Sequence, residues 1–259
     1  MNNLTRLSLV DLAWAVGMMA IAIGLSAWQQ LGLEWSLAIA TGRTILQLLI
    51  VGYILAFVFA LNNPWAVLAV VAVMLTIAAV VARNRIGKKY PNLLPLVWGA
   101  ILLSTAVTLG YTNLLVIHPQ TWYEPQYLIP LAGIVLGNAM NGAVIGGERL
   151  VSTINASQIE IETHLSLGAT PQQAVAQYRR DAIKAGMIPT LNQMMVVGIV
   201  TLPGIITGQL LSGVNPLDAA IYQILIMFML AFANLVTTLI VAQGLCRQFF
   251  NRADQLNII

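Results

Sequence analysis

Again and again along this chain, runs of about twenty apolar residues follow one another with scarcely a charge inside them. A helix needs about 20 such residues to cross the hydrocarbon of a bilayer. Seven runs meet that length, at 8–28, 37–60, 64–82, 93–117, 127–148, 187–211 and 219–245. The breaks between them are polar or carry Gly and Pro, such as Asn62-Asn63-Pro64 and the stretch from Arg83 to Pro91. Only 8% of the 259 residues are charged, against about 25% in an average soluble domain. Twelve Lys and Arg with nine Asp and Glu cannot clothe a soluble surface of this size. A soluble enzyme and a nucleic-acid binder are thereby excluded, and the net charge of +3 is no DNA-binding signal. The reading is an all-α polytopic membrane protein with about seven transmembrane helices, residues 1–259 forming a single transmembrane domain. The first run is read as a span, since it is too long for a signal-peptide core and no A-x-A site follows it. The single cysteine, Cys246, leaves no disulfide framework and no Cys-rich metal site.

Lys and Arg set the orientation of such a chain. With seven spans, ten of the 12 basic residues fall on one side: Arg83, Arg85, Lys88, Lys89, Arg149, Arg179, Arg180, Lys184, Arg247 and Arg252. Arg6 alone lies on the other, and Arg43 sits inside the second run. The expected arrangement puts the N-terminus outside and the C-terminus in the cytoplasm of a multi-pass protein of the inner (plasma) membrane.

Between the fifth and sixth runs, residues 150–186 form the one long loop. It parses as a cytoplasmic helical hairpin. A first helix spans 157–167 and stops at Gly168, which can take the left-handed conformation. Thr170 is a good N-cap, Pro171 suits the first helical position and Gln173 completes a capping box. The second helix is expected over 171–185, ending before Gly186.

Inside the spans, Asn138, Asn141, Glu148 and Arg149 share one narrow stripe at 100° per residue, and Gln223, Met227, Asn234 and Thr237 share another. Arg43 and Gln47 are one turn apart, and Asn192 opens the sixth run, which Pro203-Gly204 interrupts. Amides facing lipid are costly, so these stripes face other helices or a wet path. Gln47, Asn138, Asn141 and Asn192 are the candidates for lining a substrate path, with helix glue as the competing reading. Arg43 either snorkels to the interface or pairs with Glu148 as a gate at the inner mouth. The ten methionines lack accompanying Cys or His and read as core filling, and no cage of carboxylates and imidazoles lies in the spans, leaving the metal ligands unassigned. G-x-x-x-G spacings at Gly133/Gly137, Gly142/Gly146 and Gly204/Gly208 allow close helix approach, within one chain or between two.

No G-x-x-x-x-G-K-[ST] occurs, so the chain holds no P-loop of its own. Acidic residues are missing from the span interiors, which disfavours a self-sufficient proton antiporter. Energy is therefore expected from a separate subunit.

Glu162-Thr-His-Leu-Ser-Leu-Gly168-Ala-Thr-Pro-Gln-Gln-Ala174 resembles the E-A-A-x-x-x-G loop of ABC-transporter permeases. In order along the chain come Gly42-Arg43-Thr-Ile-Leu-Gln47, Ile129-Pro130-Leu-Ala-Gly133-Ile-Val-Leu-Gly137-Asn138, Leu165-Ser-Leu-Gly-Ala-Thr-Pro171 and Leu202-Pro203-Gly204. As a set they are similar to the FetB-type permease family of bacterial iron exporters, related to plant aluminium-tolerance permeases. The family's Ile-x-Leu-Pro lies nearer the glycine than Ile188-Pro189 does here. The resemblance implies a homodimer working with a FetA-like ABC ATPase, which binds ATP and Mg on its own chain. It also implies iron efflux, and docking of that ATPase through Glu162, Gly168, Ala169, Thr170, Pro171 and Gln173. Export of a nucleotide sugar or other organic solute stays open on the same architecture. So does a non-transporting scaffold that recruits a cytoplasmic partner.

Overall fold

The structure, a computed structural model, describes residues 9–90, 92–119, 121–251 and 253–256. Arg6 and Arg252, both used in the charge argument, lie outside the described residues. The rest is helical: α1 (Leu9–Trp28), α2 (Glu34–Leu61), α3 (Pro64–Ile86), α4 (Leu93–Thr112), α5 (Pro125–Ala156), α6 (Gln158–Ser166), α7 (Pro171–Ala174), α8 (Ala176–Val196), α9 (Gly204–Leu211) and α10 (Pro216–Gln248). A π-helical turn, Asn113–Ile117, prolongs α4, and no strand occurs among the described residues. Local chemistry sets many of the ends. The Asn63 side chain accepts from the Trp65 backbone N–H ahead of α3 at 2.9 Å, with Pro64 in the first helical position. Asn215 does the same for α10, accepting from Leu217 N–H at 2.9 Å.

The chain divides into two compact units. One runs to Asn62, with Leu211–Gly213 added, and contains α1 and α2. Their turn is fastened by Ser26, whose hydroxyl donates to Glu34 Oε1 at 3.0 Å and accepts from Leu33 N–H at 3.3 Å. The other unit holds the remaining helices around α5 and α10, against which α3, α4 and α8 pack. Its main apolar cluster includes Ala79, Leu93, Ala139, Leu150, Ile161, Val175, Leu245 and Phe249. A second gathers Leu131, Val135, Ile226, Met227 and Leu230 further along α5 and α10. At 32 and 33 residues, α5 and α10 run to roughly 50 Å each, well beyond a hydrocarbon core of about 30 Å.

Six helices among the described residues are long and apolar enough to cross a membrane: α1, α2, α3, α4 with its π-helical turn, α5 and α10. Seven were expected, and the run at 187–211 is the one that differs. Helix α8 enters it directly from the hairpin and continues through Gly186 and Pro189 to Val196. The chain then leaves helical geometry over 197–203, where the Gly198 N–H turns to Thr201 O at 2.9 Å, and resumes as α9. The expected stop before Gly186 is therefore absent. A glycine there permits contact rather than ending the helix: a Cβ on Gly186 would come within 2.8 Å of Gly142 O and of Thr238. The real break begins after Val196, and helix resumes only at Gly204, past Pro203.

Three segments of the larger unit meet at one end. Tyr90, between α3 and α4, stacks edge-on against Phe249, just past α10, at 5.4 Å and 66°. The hairpin and the residues after α10 line common cavities. Helix α10 therefore returns to the hairpin's end, and the interrupted α8–α9 path must cover the same height in the other direction. Basic residues flanking α3, the hairpin and α10 are thereby gathered at one end of this unit.

Candidate functional site

The hairpin tip is built from adjacent residues. Helix α6 closes in a Schellman motif: Ala169 N–H donates to His164 O and Gly168 N–H to Leu165 O, both at 3.0 Å. Gly168 supplies the positive φ of +91° that the motif needs. Two residues on, the Thr170 hydroxyl accepts from Gln173 N–H at 3.3 Å, and Thr170 N–H donates to Gln173 Oε1 at 2.9 Å. That reciprocal pair is the capping box expected from the sequence, with Pro171 at the first position of α7. Tyr178 on α8 is hydrogen-bonded to Glu160 and Ser157; burial above all, and then Glu160, push its hydroxyl pKa up. Glu162 is exposed, as are Gly168, Thr170 and Gln173, while Ala169 and Pro171 are half-buried. Leu167, next to the turn, is 82% exposed, and Ile159, at the start of α6, is 83% exposed, so apolar side chains stand uncovered on a helix too short to cross a bilayer.

A second polar constellation lies deep in the bundle, where α4, α5, α8 and α10 meet. Asn234 on α10 is 1% exposed; its amide donates to Gly186 O at 3.1 Å and to Thr190 Oγ1 at 2.7 Å, both on α8. Thr190 in turn donates to Asn138 Oδ1 on α5 at 3.2 Å. The Thr238 hydroxyl donates back to Asn234 O at 2.7 Å, and Thr237 donates to Ser104 Oγ on α4 at 2.6 Å. Small residues let these helices close in. A Cβ on Gly142 would collide with the Asn234 side chain, and one on Gly146 would sit 2.8 Å from Thr238 and 3.2 Å from Ala182 O. The Gly142/Gly146 pair thus serves packing within the chain, while Gly137, Gly204 and Gly208 have open space where a Cβ would project.

Of the residues singled out from the sequence, the structure brings Asn138 into this network and leaves Asn141 and Glu148 exposed on α5. Asn192 is exposed on α8, and Gln47 and Arg43 are exposed on α2 in the N-terminal unit. The α10 stripe of Gln223, Met227, Asn234 and Thr237 is buried throughout, with Gln223 Oε1 lacking a hydrogen-bond partner. Sequence reading missed Thr190, Gly186 and Ser104. Ala182, Gly186 and Thr190 do recur every four residues on α8 and are all buried, a signal hidden by the expected helix end at 185. Among the described residues no three of His, Cys, Asp and Glu gather where they could hold a metal ion.

Long apolar helices, a polar seam between them and a short helical hairpin at one end define a multi-pass membrane protein. The chain belongs to the family described as Uncharacterised protein family UPF0014, whose pattern matches residues 9–250. It is 55% identical over 98% of both chains to a UPF0014 membrane protein of Synechocystis. It is 34% identical to the probable iron export permease protein FetB of Escherichia coli, over 98% of this chain and 96% of that one. Identity to the UPF0014 membrane protein STAR2 of rice is also 34%, over 94% of this chain and 84% of the relative. No solved structure matches it.

Proposed function

We propose that this chain is the permease subunit of an ATP-driven exporter that moves iron out of the cytoplasm. Two copies work with two copies of a separate ABC-type ATPase, which carries ATP and Mg. The observation that carries the reading is the uncovered hairpin, where exposed Leu167 abuts a turn fixed by a Schellman motif and a capping box and Ile159 stands exposed at the start of α6. A rigid, apolar, helical knob outside the spans is what a subunit needs to receive a push from a soluble partner. Glu162, Gly168, Ala169, Thr170, Pro171 and Gln173 form the coupling element. The expected second helix is interrupted at Val175, and beyond it α8 runs from Ala176 past Thr190 to Val196, linking the coupling element to the Asn138–Thr190–Asn234 seam. Iron as cargo is supported by the likeness to the probable iron export permease protein FetB of Escherichia coli. Amide and hydroxyl oxygens along the seam suit a hydrated or chelated ion in transit better than a tightly coordinated one.

The test is ATP hydrolysis by the permease and its ATPase in lipid discs, with ferrous iron titrated against other divalent ions and nucleotide sugars. Stimulation specific to iron is the expected result. Stimulation by nucleotide sugars, with no response to iron, would keep the ATP-driven architecture and overturn the cargo. An assembled complex whose ATPase answers no solute and moves none would favour the scaffold.

A further inference from the structure

The residues that follow α10 make a structured turn, and none of the roles assigned so far uses it. Asn251 is its hub. Its Oδ1 accepts from Ala253 N–H at 2.9 Å and Gln255 N–H at 3.0 Å, and its Nδ2 donates to Gln255 Oε1 at 3.0 Å. The Asn251 N–H donates to Gln255 O at 3.0 Å, Phe250 bridges to Leu256, and Asp254 takes a left-handed φ of +57° to close the loop. Phe249 is fully buried against Tyr90, and Leu256 packs on the main apolar cluster. The hydrogen bonds fix the shape of the turn itself, and Phe249 and Leu256 anchor it to the main apolar cluster.

Two cavities open on either side of the 168–171 turn, and both have this segment as a wall. One, of about 690 Å³, lies between Thr170, Pro171, Arg179, Arg247 and Asp254. The other, of about 750 Å³, lies between Glu162, Gly168, Ala169 and the Ala253–Gln255 side of the turn. Among the described residues Arg179 and Arg247 have no carboxylate within 4.0 Å; Lys184 with Asp181, at 3.9 Å, is the ion pair of this region. Among the described residues, Asp254 is the carboxylate that lines the first cavity with these two arginines.

We infer that the turn built on Asn251, with Ala253, Asp254, Gln255 and Leu256, is the second jaw of the ATPase dock, and that the cleft between it and the 168–171 turn receives an acidic segment of the ATPase. The inference rests on the coupling role proposed above for the hairpin. The Arg179 and Arg247 side chains lining the first cavity select a carboxylate-bearing segment, and Leu165, Ala169 and Leu256 of the other cavity cover its apolar part.

The experiment measures affinity between the permease in lipid discs and the ABC-class ATPase with which the wild-type chain co-purifies. Arg247→Glu is exposed and leaves the turn intact; it should weaken binding at least tenfold, with Arg247→Lys close to wild type. Asn251→Ala should weaken binding to a similar degree, and binding should fall as salt is raised. Size-exclusion profiles of the variants show whether the fold is kept. If Arg247→Glu and Asn251→Ala both bind as wild type while Gly168→Pro abolishes binding, the second jaw is overturned and the hairpin dock stands. If Gly168→Pro also binds as wild type, or no ABC ATPase co-purifies at all, the dock reading and this inference fall together.

Discussion

Gly142 has no room for a side chain, because the Asn234 amide already occupies the place a Cβ would take. Gly142→Ala should therefore push the two longest helices apart at their polar seam. Overpacking of this kind costs about 1–3 kcal/mol, and a lowered thermal midpoint of the protein in lipid discs is the measurement that shows it. Asn138 is less crowded and half-buried, and its carbonyl is the acceptor for the Thr190 hydroxyl. Asn138→Leu should spare insertion and ATPase assembly and reduce efflux from loaded vesicles at least several-fold; unchanged efflux would demote Asn138 to helix glue. At this scale the sequence was half legible. The stripe holding Asn234 and Thr237 follows from a 100° turn per residue, whereas their partners Gly186 and Ser104 lie 48 and 133 positions away. No local pattern announces a partner at that distance.

The hairpin is the element whose details were readable beforehand, since each device in it acts within three to five residues. Gly168 at its positive φ and the Thr170–Gln173 pair both stand as expected. Losing an N-cap costs about 1 kcal/mol, so Thr170→Ala should loosen the turn and lower ATPase affinity by about fivefold in a binding titration. Gly168→Pro, which breaks the Schellman bond donated by its own N–H, should abolish complex formation while the protein still inserts. Helix α8 was misread for an instructive reason. Gly186 resembles a stop when only its own neighbourhood is considered, but its missing side chain is required by the Gly142 carbonyl across the interface. The consequence is mechanical: α8, the hairpin arm beyond the break at Val175, reaches the seam with no stop at Gly186.

For the whole molecule, the charge argument required the loop at 83–91, the hairpin and the C-terminal segment to share a side. In the larger unit, the Tyr90–Phe249 contact and the shared cavities bring these three segments to one end. That end is expected in the cytoplasm. Single cysteines at Leu167 and Thr121, introduced in a Cys246→Ser background, test this with a membrane-impermeant maleimide. Leu167→Cys should react only in inverted vesicles and Thr121→Cys only in right-side-out ones; the reverse pattern would invert the topology and move the hairpin away from any cytoplasmic ATPase.

Membrane residence, the positions of the six long helices and the chemistry of the hairpin turn were determined by the sequence itself. Apolar run length and helix capping are properties of neighbouring residues, so they can be read along the chain. Which glycines close an interface, where the interrupted helix breaks and which polar side chains meet were decided only in three dimensions. So was the turn around Asn251 that lies beside the hairpin. Each of these depends on atoms brought together from remote parts of the chain, where burial makes an unpaired polar group or a surplus methyl costly enough to select one packing.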